Sequence, residues 1–168
     1  MDKNIVLIGM MGSGKTTVGK LLSQRLRRPF VDTDALIEER EGRSIPDIFA
    51  RDGENTFRAL ELALSQELSG RNGLVIACGG GLPIQTEAIA ALKESGLVFW
   101  LDRDPGETYD SLDVSQRPLA RSGRDAFIRR YQGREAIYRQ WSDHKICAES
   151  PQAAEALIFT ICSEVFGL

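Results

Sequence analysis

The feature that most constrains this chain is a glycine-rich segment placed directly after a short apolar run. Residues 9–16 read Gly-Met-Met-Gly-Ser-Gly-Lys-Thr, and residues 5–8 before them read Ile-Val-Leu-Ile. The spacing matches GxxxxGK[ST], in which backbone N–H groups turn inward around a phosphate at the N-terminus of a helix. The sequence therefore predicts a buried strand, a phosphate-binding loop over residues 9–16 and a helix that begins near Lys15.

The polar residues of this loop indicate a nucleotide with Mg²⁺ as the ligand. Lys15 supplies a mobile charge for the outer phosphates, and the Thr16 hydroxyl is placed as a direct ligand of Mg²⁺. The predicted nucleotide contacts in and beside the loop are Gly12, Ser13, Gly14, Lys15, Thr16 and Thr17. The loop alone does not separate a kinase from a GTPase, an ATPase or a nucleotide-dependent switch.

Short apolar runs without polar alternation recur along the chain, separated by segments with helical spacing. Such runs are expected for strands of a parallel sheet that helices cover on both faces. They occupy residues 5–8, 29–31, 74–78, 97–101 and 146–148. Two helical faces are predicted between them, formed by Val18, Leu21, Leu22 and Leu26 and by Phe57, Leu60, Leu64 and Leu68. The alternation predicts a doubly wound α/β fold with five parallel strands.

Capping and turn residues predict further helix boundaries. Ser44 with Asp47 three residues later predicts a helix start, and Asp52-Gly53 predicts its end. After Ser150-Pro151, a C-terminal helix is predicted to pack on the sheet through Ala154, Leu157, Ile158 and Ile161. Because no repeat or long linker is visible, residues 1–168 are predicted to form a single domain.

Composition and charge limit the partners that we expect. The net charge of −3 argues against a nucleic-acid partner, and no apolar run approaches the ~20 residues that span a bilayer. The three cysteines lack CxxC spacing and predict neither a disulfide framework nor a zinc site; they are Cys78, Cys147 and Cys162. We therefore expect a cytoplasmic monomer that binds small molecules, without an export signal or membrane anchor.

Positive charge is concentrated near one predicted loop. Residues 117–139 contain seven arginines against Asp125 and Glu135, a local balance of +5 that leaves −8 for the rest of the chain. Residues 110–124 lack apolar periodicity and contain Ser, Gly and Pro, which is typical of a mobile loop. Since a closing loop excludes water and strengthens charge interactions, the segment is a predicted lid, with an ordinary surface loop as the alternative.

Two carboxylates follow the second predicted strand. Asp32 and Asp34 emerge at the C-terminal edge of the sheet, where open α/β folds bind ligands. If the chain stays extended there, the two side chains point to opposite sides, one toward Mg²⁺ and the nucleotide and the other toward the acceptor. The alternative is that Asp34 caps the next helix.

Six landmarks taken together resemble shikimate kinases in their order and approximate spacing. They are the phosphate loop, Asp32-Thr33-Asp34, Phe57-Arg58 with Glu61, Gly79-Gly80-Gly81, Arg117-Pro118-Leu119, and Arg134 with Tyr138. The resemblance implies a three-layer α/β/α P-loop NTPase fold of the nucleoside monophosphate kinase type, with a five-stranded parallel sheet and a mobile lid. It also implies transfer of the ATP γ-phosphate to the 3-hydroxyl of shikimate.

The acceptor half of the site follows from the same resemblance. Arg58 and Arg134 correspond to arginines that bind the carboxylate of shikimate, and Asp34 corresponds to the acid that holds its hydroxyls. The implied acceptor contacts are Asp34, Arg58, Gly79, Gly80, Gly81 and Arg134, with a substrate-binding helical region at about residues 33–62. From the residues alone, Arg58 could equally pair with Glu54 and Glu61 on one helix surface.

The donor half adds a residue of the predicted lid. Arg117 matches the arginine with which the family contacts the phosphates, so the implied catalytic residues are Lys15, Asp34 and Arg117. Arg117 also joins the implied ATP contacts. Asp32 is expected to act on Mg²⁺ through water, because this ion commonly retains several waters.

Two departures from the family pattern concern the neighbourhood of the nucleotide. Cys78 stands where many relatives have Ser or Thr, and we interpret it as a buried thiol. Relatives often carry an arginine ahead of the lid that packs on adenine, yet none occurs between Arg103 and Arg117. Stacking by Tyr109, or the region around Ser150-Pro151, could hold the base instead.

Two other functions stay open on the sequence. A gluconate-type or nucleoside monophosphate kinase could share the scaffold, although adenylate-kinase-like enzymes usually place Asp-Gly-x-Pro-Arg after strand three, where residues 78–81 read Cys-Gly-Gly-Gly. The other is a catalytically silent ligand sensor. Such a module should lack Lys15, Asp32 or Arg117, all of which this chain keeps.

Overall fold

Five parallel strands form the centre of the molecule. The computed structural model describes residues 3–113 and 122–167. The strands are β1 (Asn4–Ile8), β2 (Phe30–Asp32), β3 (Val75–Ala77), β4 (Gly96–Leu101) and β5 (His144–Ile146). Their order in the sheet is β2-β3-β1-β4-β5, and every pairing is parallel. The predicted five-stranded parallel sheet is confirmed.

The last strand lies two residues earlier than residues 146–148. His144 pairs with Phe99 and Ile146 with Leu101, the last residue of β4. The Asp102 N–H donates to the Ile146 carbonyl at 2.9 Å, which closes the ladder at this point. The prediction for β5 was therefore wrong in its bounds, because the end of the neighbouring strand determines where the pairing stops.

Helices fill the connections between the strands. They are α1 (Lys15–Leu26), α2 (Thr33–Glu41), α3 (Ile45–Asp52), α4 (Glu54–Ser69), α5 (Thr86–Ser95), α6 (Pro105–Asp110), α7 (Arg124–Trp141) and α8 (Pro151–Phe166). A short 3₁₀ helix covers Leu82–Ile84. The Ser44 hydroxyl accepts from the Asp47 N–H at 3.2 Å, and Gly53 separates α3 from α4, as predicted.

The helices cover both faces of the sheet. Val6 and Ile8 of β1 lie in a buried cluster with residues of α4, α5 and α7. Ile5 and Leu7 of the same strand lie in a second cluster with residues of α1 and α8. Alternate residues of one strand thus pack against helices on opposite faces of the sheet, which confirms the three-layer α/β/α architecture.

The C-terminal helix α8 packs on α1 and the sheet through one stripe of residues. Ala154, Ile158 and Cys162 are buried, and they lie four residues apart. Leu157 is 47% exposed, so its predicted place in this contact was wrong. It falls outside the stripe because the i, i+4 row that faces α1 starts at Ala154.

The topology places a crevice between β1 and β4. The chain leaves β1 toward β2 on one side of the sheet, whereas it leaves β4 toward β5 on the other side. Open α/β sheets bind ligands outside the C-terminal strand ends at such a switch point. No helix within the described ranges is long and apolar enough to cross a bilayer.

Candidate active site

The phosphate loop joins β1 to α1 and holds its lysine inward. Gly12 and Gly14 have φ angles of 78° and 98°, a left-handed conformation that glycine adopts without steric cost. Lys15 is 9% exposed, and its Nζ donates to the carbonyls of Gly9 at 2.7 Å and Met10 at 2.8 Å. A full positive charge is therefore held at the mouth of the loop by weakly basic carbonyl partners that an anionic ligand can replace.

A cavity of about 670 Å³ opens beside this loop. The predicted nucleotide residues that line it are Gly12, Gly14, Lys15, Thr16 and Thr17. Ser13 belongs to the loop but not to this lining, and its buried hydroxyl has no hydrogen-bond partner among the described residues. The lining also contains predicted residues of the acceptor half, Asp34, Gly79 and Gly80, but not Arg58, Gly81 or Arg134. One cavity therefore joins the two predicted halves of the site.

Asp32 connects the phosphate loop to α2. Its Oδ2 accepts from the Thr16 hydroxyl at 2.8 Å, while Oδ1 accepts from the Ala35 N–H at 3.1 Å and caps the helix. The alternative in which Asp34 caps this helix was wrong. The helix begins at Thr33, so the extended geometry ends at Asp32, and both Asp32 and Asp34 face the same cavity instead of opposite sides.

Asp34 lies in the first turn of α2 with most of its carboxylate withdrawn from water. Burial raises the pKa of Asp34 from its ordinary value of 3.8 to about 6, and the negative charge of Asp32 raises it further in the same direction. The positive charge of Lys15 opposes this rise. A carboxyl group that titrates near neutrality is suited to exchange a proton with a hydroxyl.

The glycine triplet after β3 leaves room for three predicted acceptor residues. A Cβ atom at Gly79 would overlap Asp34 Oδ1, and one at Gly81 would lie 2.6 Å from Arg58 Nη2. At Gly80 the Cβ would lie 3.5 Å from Arg134 Nη1, an ordinary contact distance. The structure thus brings Asp34, Arg58 and Arg134 around one short backbone segment.

Arg58 forms the helix ion pairs that the sequence allowed, but one partner is deeply buried. Its guanidinium lies 2.5 Å from Glu61 Oε1 and 3.3 Å from Glu54 Oε1. Glu61 is 1% exposed, and Gln85 Nε2 also donates to its Oε1 at 3.0 Å. Burial raises the pKa of Glu61 from 4.5 to about 7, against the lowering effect of Arg58. Glu61 therefore orients Arg58 beside Gly81, an arrangement that a solvated surface pair would not provide.

Helix α7 contributes Arg134 and a tyrosine, Tyr138, which holds the helix near Gly80. The buried Tyr138 donates its hydroxyl hydrogen to the Gly80 carbonyl at 2.7 Å. Burial raises the pKa of Tyr138, and the positive charge of Arg134 opposes this rise. Arg130, one helical turn earlier, has its pKa lowered by burial and by Arg134. Arg130 does not line the cavity, and we assign it no role in the site.

Sequence reasoning missed the apolar wall of the cavity. Ile45, Pro46 and Phe49 of α3 line it together with Met11 of the phosphate loop. The spacing of Ile45 and Phe49 marks an apolar helix face, but nothing in the sequence showed that this face borders a cavity. Glu38 Oε2 accepts from the Ile45 N–H at 2.9 Å, which ties α2 to the start of α3.

Three further sequence predictions concern the donor side. Arg117 and most of the predicted lid, residues 114–121, lie outside the described residues. Cys78 is 2% exposed, and burial raises the pKa of its thiol, as expected for a buried cysteine. Tyr109 is partly buried, with its ring centroid 5.7 Å from that of Phe127, and its stacking on a base stays a prediction.

The fold and the cavity define a P-loop kinase with a pocket for a small anionic acceptor. A family model described as Shikimate kinase matches residues 11–165. A shikimate kinase of Symbiobacterium thermophilum is 44% identical over 152 residues, which cover 87% of each chain. The structure of a shikimate kinase from Acinetobacter baumannii in complex with shikimate matches with a TM-score of 0.88 at 34% identity, covering 99% of this chain and 94% of that chain.

A second solved structure agrees with these matches. The crystal structure of shikimate kinase from Aquifex aeolicus has a TM-score of 0.83 at 35% identity, and it covers 98% of this chain and 99% of that chain. The chain belongs to the shikimate kinase family.

Proposed function

We propose that this chain transfers the γ-phosphoryl group of ATP to the 3-hydroxyl of shikimate, giving ADP and shikimate 3-phosphate for aromatic amino-acid biosynthesis. The observation that carries the proposal is the pairing of two half-sites across one cavity. The phosphate loop with Lys15 and the carboxylate-bearing Asp34 line the same cavity, and Arg58 and Arg134 lie beside the glycine triplet.

The acceptor half matches a small ring that carries a carboxylate and several hydroxyls. Arg58 and Arg134 supply guanidinium groups for the carboxylate, and charge-assisted hydrogen bonds of this kind are stronger than neutral ones. The Gly79 N–H donates to the Thr33 hydroxyl at 2.9 Å, whereas the lack of side chains on Gly80 and Gly81 lets a ligand approach their backbone. Ile45 and Phe49 supply an apolar surface for the carbon face of the ring.

Asp34 accepts the hydrogen bond of the attacking hydroxyl. Its pKa of about 6 leaves the carboxylate mainly ionised at neutral pH, yet high enough to take a proton as the new bond to phosphorus forms. Lys15 then exchanges its carbonyl partners for phosphate oxygens and neutralises part of their charge. Arg117 is assigned the same task from the lid.

Thr16 and Asp32 fit a Mg²⁺ ion that accompanies ATP. Both side chains present oxygen atoms, the donors that Mg²⁺ prefers, and their oxygens are 2.8 Å apart at the edge of the phosphate loop. When bound there, the ion would neutralise charge on the phosphate oxygens. Thr16 would bind it directly and Asp32 through water.

We assign the activity to a monomer in the cytoplasm. Cys78, Cys147 and Cys162 are free thiols, which suits a reducing compartment. Both half-sites are formed by residues of a single chain, so the proposed reaction does not need a second copy.

A coupled ADP-release assay with shikimate as the sole acceptor tests the proposed function. Turnover above the ATPase background is expected with shikimate, and none with AMP or gluconate tested side by side. A Lys15→Met variant that retains the wild-type circular dichroism spectrum should lose turnover and serves as the inactive control. Absence of shikimate-dependent ADP release in the wild-type protein would refute the proposal.

A further inference from the structure

Arg103 follows β4 and extends toward the phosphate loop. Its Nη1 donates to the Gly12 carbonyl at 3.4 Å and to the Ser111 hydroxyl at 3.3 Å. Both acceptor residues line the cavity beside the loop, whereas Arg103 itself is exposed. Hydrogen bonds of this length are weak, so the guanidinium can leave them at little cost.

Both acidic neighbours of Arg103 along the chain have other partners, and Asp104 Oδ1 accepts from the Glu107 N–H at 2.9 Å. Asp102 Oδ1 accepts from the Tyr131 hydroxyl at 2.7 Å, and Oδ2 lies 2.9 Å from Lys145 Nζ. Within residues 3–113 and 122–167, no carboxylate forms an ion pair with Arg103. Its charge is therefore available to a ligand at the rim of the cavity.

The topology indicates which part of a nucleotide passes Arg103. Asp34, Arg58 and the glycine triplet follow β2 and β3, on one side of β1, with Arg134 of α7 reaching Gly80, and the phosphate loop follows β1 itself. Arg103 follows β4, on the other side of β1 and at the switch-point crevice. Because the transferred phosphoryl must face the acceptor, the nucleoside end of the donor extends away from it, toward β4.

The guanidinium of Arg103 is a planar group at this rim, next to Gly12 and Ser111. Thr108 and Leu112 pack against Gly12, where a Cβ atom would lie 2.6 Å from Leu112 Cδ2. The ring of Tyr109 is engaged by Phe127. A guanidinium is weakly hydrated and stacks on aromatic faces, and it also donates hydrogen bonds to ribose or base oxygens and nitrogens.

We propose that Arg103 is a nucleotide-binding residue that contacts the nucleoside end of the donor. It exchanges the Gly12 and Ser111 acceptors for the base and ribose when the nucleotide enters the crevice. The inference rests on the proposed kinase function for the identity of the donor, but it assigns a residue that the phosphate-loop motif does not include.

Calorimetric titration of ADP without shikimate tests the proposal. Arg103→Met keeps a long side chain without the guanidinium, and we expect it to bind ADP about tenfold more weakly than the wild type. Arg129→Met, an exposed arginine of α7, is the matched control and should stay within twofold. An Arg103→Met affinity for ADP within threefold of the wild type overturns the inference while leaving the proposed function untouched.

A second ligand separates nucleoside contact from a change in the shape of the loop. Inorganic tripolyphosphate offers phosphates without a nucleoside, and its inhibition constant against ATP should differ less than twofold between Arg103→Met and the wild type. An equal loss for ADP and tripolyphosphate would instead show that Arg103 only supports Gly12, and it would overturn the proposal.

Discussion

Two buried carboxyl groups, Asp34 and Glu61, give the acceptor half of the site its electrostatic character. Burial raises their pKa values to about 6 and about 7, and the negative charge of Asp32 adds to the rise at Asp34 while that of Asp34 adds to the rise at Glu61. Lys15 and Arg58 offset part of this cost by supplying positive charge. The folded site therefore disfavours the ionised form of these carboxyl groups, as is common for catalytic groups. This has a measurable effect on the free energy of unfolding.

Replacing Asp34 by Asn should stabilise the fold at high pH. Since the folded pKa of about 6 exceeds the ordinary 3.8, the folded state binds this proton more tightly, and stability falls as pH rises through that interval. The Asp34→Asn variant should exceed the wild-type free energy of unfolding by about 1 to 3 kcal/mol at pH 8 and by under about 1 kcal/mol at pH 4. Urea unfolding at both pH values measures the difference.

The control for this experiment is Glu39→Gln, which removes an exposed acid from the same helix, α2. It should change the free energy of unfolding by less than about 0.5 kcal/mol at either pH. If Asp34→Asn gave the same stabilisation at pH 4 and pH 8, the raised pKa would not be its cause.

Arg134 offers a cleaner test of carboxylate recognition than Arg58, because removing Arg58 would also leave the buried Glu61 without its ion-pair partner. Arg134→Ala should weaken shikimate binding by about 1 to 3 kcal/mol, the value of a lost charge-assisted hydrogen bond. ADP binding should change less than twofold, and so should both affinities in Arg129→Ala. Titration of each ligand separately gives the result, and unchanged shikimate affinity in Arg134→Ala would remove this arginine from the acceptor site.

At the scale of elements, the site is assembled where three strands end. The phosphate loop follows β1, Asp32 ends β2, and the glycine triplet follows β3. The loop was predictable from sequence because eight consecutive residues specify it. The contacts of Arg58 with Gly81 and of Arg103 with Gly12 were not, because each joins residues that are distant along the chain.

The glycine triplet allows a graded series of alanine substitutions. Gly79→Ala should reduce kcat strongly, since its Cβ overlaps the short, buried side chain of Asp34. Gly81→Ala should chiefly raise the KM for shikimate, because the flexible guanidinium of Arg58 can move away from a Cβ at 2.6 Å. Gly80→Ala is the matched control, since its nearest neighbours lie at 3.4 to 3.5 Å, and it should change kcat/KM for shikimate least.

Steady-state kinetics on the three variants gives the order of their losses in kcat and kcat/KM, and circular dichroism verifies that each variant folds. None of these glycines has a positive φ, so backbone strain does not enter the comparison. If Gly80→Ala lowered kcat as much as Gly79→Ala, the loss would come from filling the space beside the backbone and not from the contact with Asp34.

At the scale of the whole molecule, the strand order determines on which side of β1 the residues of the site lie. Asp34, Arg58 and the glycine triplet follow β2 and β3, while Arg103 follows β4 across the switch point and Arg134 is contributed by α7. The sequence predicted five parallel strands from their apolar runs, since burial on both faces removes the polar alternation. It did not predict the order β2-β3-β1-β4-β5, because pairing between strands is a long-range property that apolar runs do not encode.

Residues 1–168 are still predicted to form one cooperative unit, and unfolding in urea tests this. Trp100 and Trp141 lie in β4 and α7, so their fluorescence reports on the half of the sheet that carries Arg103, whereas far-UV circular dichroism reports on all the helices. The two transitions should have the same midpoint. Added ADP at about 100 times its dissociation constant should raise the free energy of unfolding by about 2.7 kcal/mol by both probes. Separate midpoints, or stabilisation seen by fluorescence alone, would show that the acceptor half unfolds independently of the nucleotide half.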